Sequence, residues 1–140
     1  MQVMADPNQA IIDEFRANEG RVGGFFEGRS LALVHHRGAK TGTERVNPLA
    51  AQHLDDGSIA IFASMAGAPR HPDWYYNLVA NPDTTVETGT ESFPVRARVA
   101  EGEERRRIYE EQKRVWPEFA EYEQKTAGIR EIPVIVLERA

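Results

Sequence analysis

The sequence predicts a single domain with a mainly antiparallel α+β fold in which the strands form a barrel. Short apolar segments separated by turn signals fill the chain from residue 30 to residue 100. Helical patterns lie on either side of them, and a further apolar run follows at residues 132–138. No Gly-x-Gly-x-x-Gly element follows a predicted strand, which argues against a Rossmann nicotinamide site. At 140 residues the chain fits one domain.

An N-terminal helix is predicted within residues 1–19. Asp6 is the expected N-cap, Pro7 suits the first helical position, and Gln9 completes a capping box. The residues expected on the apolar face are Ile11, Ile12 and Phe15. A glycine-rich stretch, residues 20–24, ends the helix.

The barrel strands are predicted from segments rich in β-branched and apolar residues. These segments are Ser30–His36, Val46–Leu54, Ser58–Ala63, Thr84–Thr88 and Phe93–Ala100. Asp55-Asp56-Gly57 is a hairpin signal between the second and third strands, and Gly89 lies in a later turn. A loop from Met65 to Pro72 leads into a short helix, Asp73–Val79, which Asn81-Pro82 ends.

The C-terminal part is predicted to hold two helical pieces within residues 103–125 and a closing strand. The first piece, Glu103–Val115, is charged and amphipathic. Its positions at helical spacing are Ile108, Gln112, Val115 and Trp116. Pro117 starts the second piece, which carries Phe119 and Tyr122. The nearly continuous apolar run Ile132–Leu137 indicates a buried strand.

Composition and charge exclude several classes of function. The chain has no cysteine, which excludes disulfides, thiolate metal sites and a cysteine nucleophile, and suits a reducing cytoplasm. No apolar run approaches the roughly 18–20 residues of a membrane span. The net charge of −5 argues against nucleic-acid binding. Residues 28–54 nevertheless hold four cations and one anion (+3), which leaves −8 elsewhere and indicates a small anionic ligand.

The segment that carries most of this charge is Arg37-Gly38-Ala39-Lys40-Thr41-Gly42-Thr43-Glu44-Arg45. Its two glycines allow a sharp turn that can present N–H groups to an anion. Lys40 adds a mobile charge and Arg45 a bidentate fork, so phosphate or carboxylate binding is a good chemical match. The segment lacks the glycine spacing of a Walker A loop. A basic hairpin turn without a ligand is the alternative.

A second candidate segment is Pro72-Asp73-Trp74-Tyr75-Tyr76-Asn77-Leu78, which follows the Gly/Pro loop. Flat rings beside a loop suit a planar ligand, and Asn77 can hydrogen-bond its edge. Core packing of these aromatics is the alternative. The histidines lack a metal-binding spacing, since the adjacent His35 and His36 point to opposite faces of a strand, and no metal site is expected.

Taken together, the motifs define a pattern that covers nearly the whole chain. Its segments are Gly20-Arg21-Val22-Gly23-Gly24, Gly38-Ala39-Lys40-Thr41-Gly42, Arg45-Val46-Asn47-Pro48-Leu49, Ala63-Ser64, Gly67-Ala68, Pro72 to Leu78, Ala80-Asn81-Pro82, Tyr122, Thr126, Arg130 and Ile132-Pro133-Val134. In order and spacing this pattern resembles the deazaflavin-dependent nitroreductase family of actinobacteria, whose members bind coenzyme F-420.

The resemblance implies a split β-barrel related to flavin-binding barrels. It also implies hydride transfer from reduced coenzyme F-420 to an organic acceptor such as a quinone, an enone or a nitro compound. Lys40, Thr41 and Arg45 would hold the phosphate and polyglutamate tail. The other implied cofactor-binding residues are Ala39, Gly42, Val46, Asn47, Pro48, Leu49, Ala50, Phe62, Ala63, Ser64, Met65, Asp73, Trp74, Tyr75, Tyr76, Asn77 and Phe119. Ser64 and Tyr122 are the implied catalytic residues, because such a cofactor leaves the protein to orient it and to move a proton.

Four positions depart from the family's pattern. Ala50 and Phe119 stand where related members carry tyrosine, and Met65-Ala66 replaces a Lys-Gly pair. A roomier and less polar acceptor pocket with fewer proton donors is therefore expected, so binding of the coenzyme is better supported than reduction of nitro compounds. The family's natural acceptors resemble quinones, so the resemblance implies a quinone or an enone.

Three alternatives stay open at this point. They are a flavin mononucleotide oxidoreductase on the same barrel, a non-catalytic deazaflavin carrier, and a quinone reductase held at the membrane by its N-terminal helix. The mixed charges of Asp13, Glu14 and Arg16 weaken the last of these.

Overall fold

The computed structural model describes residues 7–140, in which six antiparallel strands close into a barrel. The strands are β1 (Leu31–Arg37), β2 (Glu44–His53), β3 (Ile59–Phe62), β4 (Asp83–Thr88), β5 (Glu91–Val99) and β6 (Val134–Arg139). Their order around the barrel is β1-β2-β3-β6-β5-β4. The helices are α1 (Pro7–Ala17), α2 (Asp73–Ala80), α3 (Gly102–Val115) and α4 (Glu118–Thr126). The predicted α+β barrel with flanking helices is confirmed; the expected N-cap, Asp6, lies outside the described residues.

The inside of the barrel is filled by alternate residues of all six strands, as the period of two of a strand requires. These residues are Ala32, Val34, Ala51, Ile59, Ile61, Val86, Val95, Ile135 and Leu137. Trp74 and Leu78 of α2 join the same cluster. Helix α2 therefore packs on the barrel interior through Trp74 and Leu78, and Trp74 also lines the cleft described below, together with Asp73, Tyr76 and Asn77.

A second core lies between the outer barrel surface and the helices. Its strand residues are Leu31, Leu33, Ala60, Phe62, Val134 and Val136, and its helical residues include Ile12, Phe15, Ile108, Tyr109 and Phe119. Strands β1, β3 and β6 are consequently buried on both faces. This double burial explains the nearly continuous apolar runs that predicted β3 and β6 from the sequence.

The element boundaries differ from the predicted ones where local contacts decide them. Strand β2 begins at Glu44 rather than Val46, because Glu44 still pairs with Arg37 across the hairpin. Helix α3 ends at Val115, in keeping with the restriction that Pro117 places on the residue before it. Trp116 is therefore beyond the helix but stays buried, whereas Val115, predicted on the packed face, is half exposed.

Helix α1 is fixed to the barrel by a bidentate ion pair. The Arg16 guanidinium donates to both carboxylate oxygens of Glu87 on β4, at 3.0 and 2.7 Å. His35 of β1 lies 2.7 Å from the same carboxylate, through Nε2. The helix is followed by a close approach, where a Cβ atom on Gly20 would lie 2.8 Å from the Cα of Gly89. These contacts bring residues 20–28 to the mouth of the site.

No helix within residues 7–140 combines the length and the apolar character needed to cross a bilayer.

Candidate active site

A cleft of about 1400 Å³ opens between the β1–β2 hairpin, α2, the loop after β3 and the start of α4. This volume accommodates a ligand larger than an ordinary drug-sized molecule. Most of the residues predicted from the sequence line it: Ala39, Lys40, Thr41, Arg45, Val46, Asn47, Pro48, Leu49, Ala50, Phe62, Ser64, Met65, Asp73, Trp74, Tyr76, Asn77, Phe119 and Tyr122. The structure thus brings the two candidate segments and the C-terminal helix to one place.

Three predicted residues do not line the cleft. Gly42 lies in the exposed hairpin turn, where its φ of +72° favours glycine. Ala63 is completely buried in the inner core. Tyr75 packs on His71, with ring centroids 4.9 Å apart, and on the inner core instead of facing the cleft.

Other lining residues were missed by sequence reasoning: Asn8, Gln9 and Ile12 of α1, Phe25, Phe26, His36, Arg70 and Trp116. Four more, Gly38, Glu44, Ala66 and Pro72, belong to segments that the sequence singled out but were not themselves predicted to bind the cofactor. The helix residues reach the cleft only through tertiary packing, which no local pattern reports. Two signals were present: the Phe25-Phe26 pair after a glycine-rich stretch, and a histidine on the inward side of β1.

At the hairpin end of the cleft, residues 38–47, the N–H groups of four of the six loop residues 38–43 are already hydrogen-bonded within the protein, three of them inside the loop. The N–H groups of Gly38 and Gly42 donate to carbonyls within the loop, each at 2.9 Å. Thr43 donates to the Thr41 hydroxyl at 3.2 Å. The expected backbone nest at this loop is therefore largely unavailable. Lys40 and Arg45 at this end are exposed and have no carboxylate partner among residues 7–140.

A buried network joins this hairpin to α2. The Ala39 N–H donates to Asn77 Oδ1 at 3.0 Å, and Asn77 Nδ2 lies 3.1 Å from Nδ1 of His36. On the other side of the imidazole, His36 Nε2 lies 2.6 Å from Asn47 Oδ1. Burial holds the pKa of His36 below its usual range, so the ring is neutral at neutral pH. The hairpin, β1, β2 and α2 are thus held together through neutral polar groups.

The nest loop, residues 64–67, has an unusual backbone. Ser64 is right-handed (φ −78°, ψ −39°), and it is followed by Met65, Ala66 and Gly67 with φ of +47°, +53° and +82°. A right-handed residue followed by a left-handed one turns successive N–H groups to one side, which forms an anion-binding concavity. The N–H groups of Ser64, Met65 and Ala66 have no partner among the described residues, and all three residues line the cleft.

Arg130 holds this loop from behind. Its guanidinium donates to the carbonyl oxygens of Ala63 (3.0 Å), Ser64 (2.9 Å) and Ala68 (3.0 Å), and lies 2.9 Å from Nδ1 of His71. Because the N–H and C=O of a trans peptide point in opposite directions, these bonds turn the N–H groups of Ser64 and Met65 away from Arg130. One side chain therefore stabilises two non-glycine residues in a left-handed conformation that costs about 1 kcal/mol or more each.

The aromatic end of the cleft is formed by Phe25, Phe26, Trp116, Phe119 and Tyr122. The Phe119 ring lies edge-on to Trp116 at 5.6 Å and to Tyr122 at 5.2 Å. The Arg29 guanidinium lies 4.6 Å from the centroid of Trp116 and 4.7 Å from that of Phe25, and hydrogen-bonds Glu118 at 2.9 Å. Burial raises the pKa of Tyr122, which keeps its phenol protonated and able to donate at neutral pH.

The cleft offers oriented donors and flat walls rather than a nucleophile or a metal centre. Within residues 7–140, no group of three or more His, Cys, Asp or Glu side chains is placed to hold a metal ion. The Ser64 hydroxyl has no hydrogen-bond partner in this part of the chain. Such a site suits chemistry that a bound organic cofactor carries.

Comparison with known proteins agrees with this chemistry. The profile of the family described as F420H(2)-dependent quinone reductase matches residues 9–139. An F420H(2)-dependent quinone reductase of Mycobacterium tuberculosis is 33% identical over 134 residues, which cover 89% of this chain and 85% of that protein. A solved structure of an F420-H2 dependent reductase is 39% identical, with a TM-score of 0.69 over 77% of this chain and 93% of its own. HutZ, a haem storage protein of Vibrio cholerae, shares only the fold, at 15% identity and a TM-score of 0.60 over 95% of this chain and 90% of its own.

Proposed function

Because the chain belongs to the F420H(2)-dependent quinone reductase family, we propose that its cleft holds reduced coenzyme F-420 along β2. The protein is an oxidoreductase that uses this coenzyme, and its acceptor is a small organic molecule. The observation that supports the proposed arrangement is the chemical difference between the two ends of the cleft. Unpaired cations lie at the hairpin end, and packed rings lie at the aromatic end.

The hairpin end fits the anionic tail of the coenzyme. Lys40 and Arg45 are exposed cations without a carboxylate partner in the described chain, and the Thr41 side chain lies between them in sequence. Charge-assisted hydrogen bonds to phosphate or carboxylate are about twice as strong as neutral ones. We assign the phosphate and the glutamate carboxylates of the tail to these side chains.

The middle of the cleft fits the polar edge of a deazaflavin ring. The nest loop supplies three N–H groups to ring oxygens, while Asn47 to Ala50 and Trp74 to Asn77 supply the walls. When bound, the reduced coenzyme supplies a hydride from a ring carbon. The chain orients the ring, excludes water, and offers protons through the Ser64 hydroxyl and the Tyr122 phenol.

The aromatic end fits a flat acceptor with hydrogen-bond acceptors at its rim. Phe119, which is 2% exposed, has no hydroxyl group. The phenol that can reach an acceptor at this end is therefore that of the half-buried Tyr122. A quinone is our preferred acceptor, ahead of an enone or a nitro compound, because one phenol and apolar walls match a planar ring with carbonyl oxygens. We propose a cytoplasmic location; peripheral contact through α1 is the weaker proposal, since Asp13 and Glu14 offset Arg16.

The test is a binding titration followed by a single turnover. We expect reduced and oxidised coenzyme F-420 to bind more tightly than flavin mononucleotide or nicotinamide cofactors. With coenzyme deuterated at the donating carbon, a naphthoquinone should be reduced, and an enone should retain deuterium on carbon in its product. A flavin spectrum in the purified protein would favour a flavin oxidoreductase instead. Tight binding without turnover of any acceptor would favour a carrier.

A further inference from the structure

We propose that His36 is a positioning residue that fixes the Asn47 side-chain amide so that its NH2 group, and not its oxygen, is offered to the coenzyme. The inference rests on the proposed function, because it concerns the ligand that Asn47 meets in the cleft. His36 itself is 5% exposed and no part of the sequence pattern assigned it a role.

The direction of the network follows from its one unambiguous donor. A backbone N–H only donates, so the Asn77 atom facing Ala39 at 3.0 Å is the oxygen. The Asn77 NH2 group then faces Nδ1 of His36 at 3.1 Å, which must be the unprotonated nitrogen. The ring proton is consequently on Nε2, and it is donated to Asn47 Oδ1 at 2.6 Å.

The last step concerns the free end of the network. Because the Asn47 oxygen is turned toward His36, the NH2 group is the branch of the amide turned away from His36, and this half-buried residue lines the cleft. An NH2 group recognises an acceptor, such as a ring carbonyl or a deprotonated ring nitrogen. The chain of hydrogen bonds from Ala39 through Asn77 and His36 thus determines that Asn47 offers a donor to the coenzyme.

Protonation of His36 would keep the Nε2–H bond to Asn47 but would disturb the link to Asn77 and Ala39. A proton on Nδ1 would face the Asn77 NH2 group, and relief by rotating that amide would break the bond to the Ala39 N–H. Burial disfavours the charged His36 ring most, the hydrogen bond to Asn47 on β2 favours it, and Arg45 on β2 and His35 on the same strand disfavour it; α2 contributes the uncharged Asn77. Coenzyme binding should therefore weaken as the pH falls below the ordinary histidine range.

The discriminating variants are His36→Gln and His36→Leu. A glutamine amide can accept from Asn77 and donate to Asn47, so it keeps the polarity without a titrating group, whereas leucine removes both bonds. We expect His36→Leu to raise the Kd for coenzyme F-420 at least 10-fold and His36→Gln to keep it within about 3-fold. The additional weakening at acidic pH should be absent in His36→Gln. His53→Gln, at the exposed end of β2, is the matched control and should keep the wild-type pH profile.

Nitrogen-15 NMR of the histidines in the wild-type protein gives a readout that does not depend on activity. We expect His36 to carry its proton on Nε2 at neutral pH. A proton on Nδ1, or equal Kd values for the leucine and glutamine variants, would overturn the inference. If His36→Leu fails to fold, the tautomer and the pH profile of His36→Gln still decide it. Absence of coenzyme binding by the wild-type protein would instead overturn the proposed function.

Discussion

The two ends of the cleft hold their shape by different means. At the hairpin end, position is set by directional hydrogen bonds among Ala39, Asn77, His36 and Asn47. At the aromatic end, it is set by rings in edge-on contact, as between Phe119 and Tyr122 at 5.2 Å. Directional bonds specify one ligand orientation, whereas edge-on rings accept many flat shapes. The difference fits the proposal that one coenzyme binds in a fixed orientation and that a flat acceptor binds at the aromatic end.

The nest loop lies between the two ends, and its loss should have the largest effect. Arg130→Met would leave the carbonyls of Ala63, Ser64 and Ala68 without their donor. A buried polar group without a partner costs about 1–3 kcal/mol. We expect the free energy of unfolding to fall by about 3 kcal/mol. We also expect coenzyme affinity to fall more than 100-fold, where a 100-fold loss corresponds to about 2.7 kcal/mol of binding free energy. Chemical denaturation and a binding titration measure the two.

Arg96→Met is the matched control for that change, because Arg96 lies on the exposed side of β5 and pairs with Asp83. It should alter stability by less than 1 kcal/mol. Unchanged coenzyme affinity in a folded Arg130→Met protein would show that the nest loop does not contact the ring.

The next largest effect is expected from removing a charge at the hairpin end. Replacing Lys40 or Arg45 by alanine should weaken coenzyme binding by about 1.5–3 kcal/mol, the range for hydrogen bonds to charged groups. Wild-type affinity should also fall with added salt, because exposed ions are screened. Isothermal titration at two ionic strengths measures both effects. Arg37→Ala, in the same hairpin but paired with Glu44, is the control; an equal loss there would mean a general charge effect and would break the contrast between the ends.

Substitutions at the aromatic end should alter the kinetics with acceptors without altering coenzyme affinity. We expect Tyr122→Phe to lower kcat/KM for a quinone by about 10-fold, a loss of about 1.4 kcal/mol for one hydrogen bond to a developing charge. Phe119→Tyr should shift preference toward polar acceptors. Steady-state kinetics with a quinone, an enone and a nitroaromatic compound give the comparison. If either variant changes the coenzyme Kd by more than 3-fold, the two ends are not separate.

The smallest effect is expected at the support of α1, which forms part of the cleft wall. Hydrogen bonds from Arg16 are the main reason that the pKa of the Glu87 carboxyl is lowered. A lowered carboxyl pKa contributes stability above the ordinary glutamate range, and that contribution is lost as the pH falls through the folded-state pKa. Glu87→Gln should therefore cost about 0.5–1 kcal/mol at pH 7, with a smaller cost near pH 3. Thermal unfolding at both pH values measures it, and an identical cost at the two values would contradict the assignment.

Sequence reasoning succeeded where local pattern decides structure. The strands, α2 and the Gly38–Gly42 turn were predicted because apolar runs, Pro72 and glycines act over a few residues. It failed where distant contacts decide. The hairpin loop lost its expected nest because Gly38 and Gly42 bond within the loop. The nest itself formed at residues 64–67, since its backbone depends on Arg130, more than 60 residues away in sequence.

Asn77 shows the same division within one residue. Its place beside the cleft followed from the aromatic helix that carries it. Its bonds to Ala39 and to His36 could not be predicted, because they depend on how α2 docks onto the β1–β2 hairpin.

Arg130 is far in sequence from the loop that it holds, so the loop cannot reach its native conformation until late in synthesis. The loop that it holds leaves the ribosome long before Arg130 does, and β6, which closes the barrel between β3 and β5, comes later still. A nascent chain that ends before residue 130 therefore lacks both the closed barrel and the oriented N–H groups of residues 64–66. The coenzyme can bind only a finished chain, and its binding then shifts the folding equilibrium toward the native state by mass action. We therefore expect bound coenzyme F-420 to slow proteolysis of this protein in vitro.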